Sequence, residues 1–208
     1  MSIPAGLAAG YRRFRSERYA AEAERYRALA KGQRPRTMII ACADSRADPA
    51  TIFAAAPGEL FVVRNVAALV PPFEEGGGYH GTSAAIEFAV SELAVPEIVV
   101  MGHGLCGGIA AALSERPTGR FIGPWVELLA GIRAQLSDAT QTLDPAARQK
   151  RLEQMAVQYS LQNLTSFPFV EAAIAAGRLR LHGAWFAIAE GELEWLDEAS
   201  GRFDPVRS

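Results

Sequence analysis

Two short apolar runs along this chain end abruptly in reactive groups. Thr37-Met38-Ile39-Ile40-Ala41 leads into Cys42-Ala43-Asp44-Ser45-Arg46, and Ile98-Val99-Val100-Met101 leads into Gly102-His103-Gly104-Leu105-Cys106-Gly107-Gly108. A brief, partly β-branched run followed by turn-forming residues is the pattern of a buried strand. Each therefore predicts a strand that delivers its polar side chains at the carboxyl end. Leu60-Phe61-Val62-Val63, followed by Arg64-Asn65, is a third run of this kind.

Between the runs the apolar positions take helical spacing. Leu7, Tyr11, Phe14, Tyr19, Tyr26 and Leu29 predict an amphipathic arm from about Leu7 to Ala30, broken by Gly32-Gln33-Arg34-Pro35, that packs on its own sheet or on a partner. Asp48-Pro49 reads as an N-cap with proline at the first helical position, opening a short helix through Ala56 that Pro57-Gly58 ends. Pro71 to Gly78 is a loop by composition, and Thr82 to Ala94 a helix capped by Thr82 or Ser83. Further helices are predicted at the glycines after Cys106, over Pro124 to Leu136, Pro145 to Leu161 and Ser166 to Ala176. Leu179 to Ile188 and Leu193 to Leu196 flank Glu190-Gly191 as a closing hairpin.

Strands alternating with helices, then a hairpin, predict an α/β fold. Its central sheet is mainly parallel, in the order 2-1-3-4 with an antiparallel edge strand, flanked by helices and preceded by a helical arm. One domain is expected over 1–208, with the arm at 1–35 and the α/β core at 36–208; 208 residues, half of them hydrophobic, suffice for one core. No internal repeat interrupts this pattern.

Charge narrows the function. The 21 basic and 23 acidic residues nearly cancel, which leaves no footprint for nucleic acid or a membrane surface and favours a small substrate. No apolar run approaches a membrane span and the N-terminus lacks a signal core, so a cytoplasmic protein is expected. In that reducing compartment the two cysteines are better placed for metal or chemistry than for a disulfide.

A 2-1-3 strand order would set Cys42 beside His103 and Cys106, at the crevice where open α/β sheets bind ligands. Two thiolates and an imidazole suit zinc, and three protein ligands leave a fourth tetrahedral position for water, whose pKa the metal lowers. Cys106, opening a helix, is placed for a thiolate. Asp44 and Arg46 are close enough to pair; Asp44 either accepts from bound water or takes the fourth position itself, and Arg46 would hold it in the first role. Taken singly, a Cys or His is as readily a packing residue and Asp-x-Arg a surface turn. Their shared placement at strand ends is what favours a site.

Cys42-Ala-Asp44-Ser45-Arg46, Gly58-Glu-Leu-Phe-Val-Val-Arg64-Asn65 and His103-Gly-Leu-Cys106-Gly107-Gly108 resemble the signature blocks of the β-class carbonic anhydrases, and the likeness runs from the Gln33 region to His182-Gly183. The resemblance implies Zn2+ on Cys42, His103 and Cys106, reversible hydration of CO2 to bicarbonate and a proton, and Asp44 with Arg46 as the catalytic dyad. It also implies a homodimer or dimer of dimers. Pocket roles fall to Gln33 as a donor to substrate or bicarbonate, to Phe61, Val66 and Phe88 as apolar wall, and to Gly107 near the metal. The last three hydrophobes are equally at home as core. Phe88 stands where some members have Tyr. Ile39 stands where some have the Trp of a noncatalytic bicarbonate site, so that form of inhibition is not expected, and Ala47 replaces a common Val. His80 is a candidate proton relay or a surface residue, and His182 a structural one. Two other functions stay open: hydrolysis of COS or CS2 by the same chemistry, or a non-catalytic zinc protein.

Overall fold

The computed structural model describes residues 3–76, 78–114, 119–139 and 144–207. Residues 1–2 of the predicted arm and Gly77 of the predicted Pro71–Gly78 loop lie outside the described residues. The sheet grows outward from β1 (Thr37–Cys42), which lies between β2 (Leu60–Asn65) and β3 (Glu97–His103) and is parallel to both. β4 (Arg180–Ala187) adds parallel to β3, then β5 (Glu192–Asp197) and β6 (Arg202–Pro205) extend that side antiparallel. The order is β2-β1-β3-β4-β5-β6, which contains the predicted 2-1-3-4. The predicted hairpin is β4 with β5. The added edge strand β6 was not legible because Arg202-Phe203-Asp204-Pro205 carries one hydrophobe among charges and a proline.

β1 and β3 are almost continuously buried because both faces of the sheet are covered there. Met38, Ile40, Ile98 and Val100 pack with Ile86, Val157, Leu164, Phe167 and Val170 on one face. Alternate residues Ile39, Ala41, Val99 and Met101 pack with Ile52, Phe53, Leu193 and Trp195 on the other.

Of the predicted helices, α4 (Pro49–Ile52) is capped by Asp48, whose carboxylate accepts from the Thr51 N–H at 2.9 Å. It stops short of Ala56, the chain passing through the left-handed region at Ala54. The Thr82 region is α5 (Gly81–Glu87), continued by a π-helical turn over Phe88–Glu92. Its N-cap is His80, with no side-chain cap; Thr82 sits inside the first turn, where its hydroxyl accepts from Asn65 at 3.2 Å. Neither predicted cap is therefore used.

After α6 (Gly107–Leu113), the segment predicted from Pro124 is α7 (Ile122–Val126) and α8 (Ala130–Ala139), joined by the single turn Glu127–Leu129. α9 (Pro145–Leu164), capped by Asp144, lays Leu152, Glu153, Ala156, Val157, Ser160 and Leu164 inward, and α10 (Pro168–Ala175) follows. No described helix is long and apolar enough to cross a membrane.

The arm is not one helix. It forms α1 (Ala5–Ser16), α2 (Arg18–Ala21) and α3 (Ala23–Leu29), with breaks at Glu17 and Glu22. The breaks let Phe14, Tyr19 and Tyr26 pack on one another, with ring centroids 5.8 Å apart for Phe14 and Tyr26 and 5.1 Å for Tyr19 and Tyr26. No residue of these three helices is buried, and Ile3, Leu7 and Tyr11 are each at least 60% exposed.

Candidate metal centre

Adjacent parallel strands end side by side, and that is how the first two groups meet. Ala41 of β1 pairs with Met101 of β3, so Cys42 and His103 emerge at the same edge of the sheet. The chain then turns at Leu105, whose φ of 56° is left-handed, and Cys106 becomes the N-cap residue of α6. A β-carbon at Gly108 would come within 2.7 Å of the Val66 side chain and 3.2 Å of the Ala67 nitrogen, so only glycine lets α6 start this close to the turn after β2.

The ligand-type atoms of Cys42, His103 and Cys106 all lie within 4.8 Å of one another, and the two sulfurs are 3.8 Å apart. All three residues are buried, at 5%, 1% and 2% exposure. The thiols are free rather than joined. His103 Nδ1 lies 2.8 Å from the Gly104 carbonyl and donates to it, which leaves Nε2 as a bare acceptor. That buried Nε2 has no hydrogen-bond partner. A buried polar atom left unpaired is costly, and one aimed at two sulfurs is satisfied by a cation. The donor set, two sulfurs and one imidazole nitrogen, fits zinc.

Electrostatics separate the two thiols. The contact with Cys106 holds Cys42 down to about 4, against the opposing effect of burial and with help from His103. The same contact, with burial, pushes Cys106 upward, and the helix N–H groups of Gly108 and Ile109 do not overcome it. The shared contact thus shifts the two thiols in opposite directions. Burial pulls His103 down, but its contacts with Cys42 and the Gly104 carbonyl carry it upward on balance.

Asp44 and Arg46 stand at the mouth. Arg46 Nε donates to Asp44 Oδ1 at 2.9 Å and Nη2 to Oδ2 at 2.8 Å, while the Arg46 backbone N–H adds a third bond at 2.9 Å. Nη2 also donates to the Leu105 carbonyl at 3.1 Å, tying the pair to the loop that carries Cys106. This guanidinium holds the Asp44 carboxyl well below the usual carboxylate range. Asp44 Oδ2 is 3.9 Å from His103 Nε2.

The remaining predicted residues divide. Val66 and Gly107 lie beside the cluster: Asn65 pairs with Cys42, Val66 follows it against Gly108, and Gly107 follows Cys106. Phe61 and Phe88 do not. Phe61 pairs with Met38, four residues from Cys42 and so roughly 13 Å down the strand, and Phe88 stacks on it with centroids 5.8 Å apart. Gln33 is exposed and precedes β1 at the end opposite the cluster. Within one chain these three do not meet the ligand-type groups. His80 is exposed, and His182 lies 2.7 Å from the Glu97 carboxylate at the far end of β3.

Two residues matter here whose contacts were not foreseen. Arg64 donates through Nε to the Cys42 carbonyl at 2.8 Å, through Nη2 to the Asp44 carbonyl, and through Nη1 to Asp48 at 3.3 Å, so it clamps the loop after β1. Glu153 is 2% exposed and accepts from the Cys106 backbone N–H at 2.9 Å. Burial pushes its carboxyl up, against three donors that pull it down. A signal existed: Glu153 falls in the same helical stripe as Ala156, Val157, Ser160 and Leu164.

Comparison with known proteins agrees with this geometry. A family model described as carbonic anhydrase matches residues 37–193. A carbonic anhydrase of Pseudomonas aeruginosa is 37% identical over 93% of this chain and 88% of its own length. A mitochondrial β carbonic anhydrase of Arabidopsis thaliana is 35% identical over 88% of this chain, which spans only 63% of that relative. Among solved structures, a tetrameric β-carbonic anhydrase of Sordaria macrospora superposes with a TM-score of 0.84 at 32% identity, covering 91% of this chain and 94% of the other.

Proposed function

The chain belongs to the β-carbonic anhydrase family, and from that premise we propose that it catalyses the reversible hydration of CO2 to bicarbonate and a proton, with zinc on Cys42, His103 and Cys106. The observation that carries this reading is the buried, unpartnered Nε2 of His103 facing two sulfurs. Bound there, zinc supplies the Lewis acidity that makes water a nucleophile near neutral pH.

The chain's own groups do the rest. Asp44, kept ionised by Arg46, presents Oδ2 toward the cluster as a fixed hydrogen-bond acceptor that orients the attacking water. Arg46, engaging both carboxylate oxygens, keeps Asp44 from turning into the ligand set. Arg64 holds the carbonyls on either side of Asp44's neighbour Ala43, so the acceptor does not drift. Val66 lines the mouth as an apolar wall, and Gly107, where a β-carbon would meet only open space, leaves room beside the metal site.

Gln33, Phe61 and Phe88 join the pocket from a second copy of the chain. Supporting this, they lie away from their own chain's cluster, Phe88 is 45% exposed, and the arm bears an uncovered apolar face at Leu7 and Tyr11. The Sordaria relatives are described as tetrameric, and a homodimer or dimer of dimers is the assembly proposed here.

Stopped-flow CO2 hydration by zinc-loaded protein, with COS as a parallel substrate, tests the activity. Expected is CO2 turnover that disappears on chelation. Zinc-loaded protein that turns over COS and not CO2, or neither, overturns it.

A further inference from the structure

Among the described residues, the one acidic side chain that is buried makes no contact with the mouth of the site, and its partners explain why it is there. Glu153 reaches inward from α9 to the loop between β3 and α6. Its Oε1 accepts from the Cys106 N–H at 2.9 Å and from Gln149 Nε2 at 3.0 Å, and its Oε2 accepts from Trp185 Nε1 at 3.1 Å. Gln149 Nε2 also reaches the Cys106 carbonyl at 3.4 Å, so both backbone groups of Cys106 are engaged from α9. On the far side, Lys150 Nζ sits 4.3 Å from the centre of the Trp185 ring and 2.7 Å from Glu194, which also accepts from Gln154 at 2.8 Å.

We infer that Glu153 is a positioning residue for the metal centre: it fixes the backbone of Cys106, and so the aim of that thiolate at Cys42 and His103, from behind the site. This rests on the metal reading above. The chemistry explains the choice of a carboxylate. Three donors converge on two oxygens, and only an ionised carboxylate is an acceptor at both; glutamine would turn its NH2 against a donor. Local geometry makes the anchor necessary. Leu105 holds a left-handed conformation that leucine adopts only under constraint, so the loop does not hold Cys106 in place by its own preference. Trp185 completes the seat by packing on Gly104, where a β-carbon would come within 3.1 Å of the ring.

The test compares wild type, Glu153→Gln and Glu153→Asp for zinc release to an excess of a coloured chelator, and for the absorption spectrum of the cobalt-loaded proteins. Melting of the metal-free proteins is measured beside them. Glu153→Gln should release zinc about tenfold faster or more, the range typical of groups that orient metal ligands, and should shift the thiolate-to-cobalt bands. Glu153→Asp, which keeps the charge but withdraws it from Cys106, should fall between, and carries the test alone if the glutamine variant does not fold. Wild-type release rates and an unchanged cobalt spectrum in the variants, even with a lowered melting point, would reduce Glu153 to a packing residue and overturn the inference. A wild type that binds neither zinc nor cobalt would overturn the metal reading itself, and this inference with it.

Discussion

Arg46 grips both carboxylate oxygens of Asp44, at 2.9 and 2.8 Å, while one of those oxygens stands only 3.9 Å from the unpartnered nitrogen of His103. On the function proposed above, the pair acts as a restraint that keeps Asp44 out of the ligand cluster. An exposed ion pair is worth about 0–1 kcal/mol to stability, so its importance lies in geometry.

Arg46→Ala should therefore fold and keep zinc but lose about 100-fold or more in kcat/KM, corresponding to at least about 2.7 kcal/mol of barrier. Freed from its partner, Asp44 competes for the open side of the ligand set. Stopped-flow rates and metal content on the same samples decide it. A variant that keeps both zinc and near-normal turnover would show that Asp44 needs no restraint.

The thiol pair predicts how the metal-free protein responds to pH. Cys42 is depressed to about 4 by Cys106, so its contribution to stability is fully present above the unfolded thiol range and is lost as pH falls toward 4. Cys106 is shifted the opposite way, so in alkali the unfolded chain sheds a proton that the folded chain retains, and stability falls again. Thiolate absorbance should show one equivalent at neutral pH, moving to a higher midpoint in Cys106→Ala. Two thiolates, or none, at neutral pH would contradict the pairing.

Arg64→Ala should cost about 2 kcal/mol of stability, the scale of a charged donor lost from backbone carbonyls. The loss should be accompanied by reduced turnover, since the Cys42 and Asp44 carbonyls are released together. Denaturant unfolding of the metal-free proteins measures the first and stopped-flow hydration the second. Stability and turnover within error of wild type would mean the clamp is dispensable.

Chains carrying Arg46→Ala and chains carrying Gln33→Ala should each be weak as homo-oligomers, yet a refolded mixture should regain activity. In a mixed dimer one site takes its dyad from the Gln33→Ala chain and Gln33 from the other, so it is intact. If the mixture is no better than the average of its parts, the pocket is not shared between copies.

Much of this protein could be read from local pattern. A strand buried on both faces must be an unbroken apolar run, so Met38 to Ala41 and Ile98 to Met101 declared themselves, and the groups that follow each run had to emerge at its carboxyl end. Asp44 and Arg46 are two residues apart, and Asp48 sits one before a proline; such short-range chemistry is written in the neighbours of each residue. What the local pattern could not contain is whatever depends on distant segments sharing one environment. Glu153, 47 positions beyond Cys106, meets it only because α9 crosses behind β3 and β4. The opposite shifts of the two thiols arise from a contact between sulfurs 64 positions apart, which no local pattern contains. The arm breaks at Glu17 and Glu22, and the breaks bring Phe14, Tyr19 and Tyr26 into one cluster that helical periodicity alone does not contain. Spacing set which groups reach the edge of the sheet; burial and long-range contact decided their charge, their aim and their restraint.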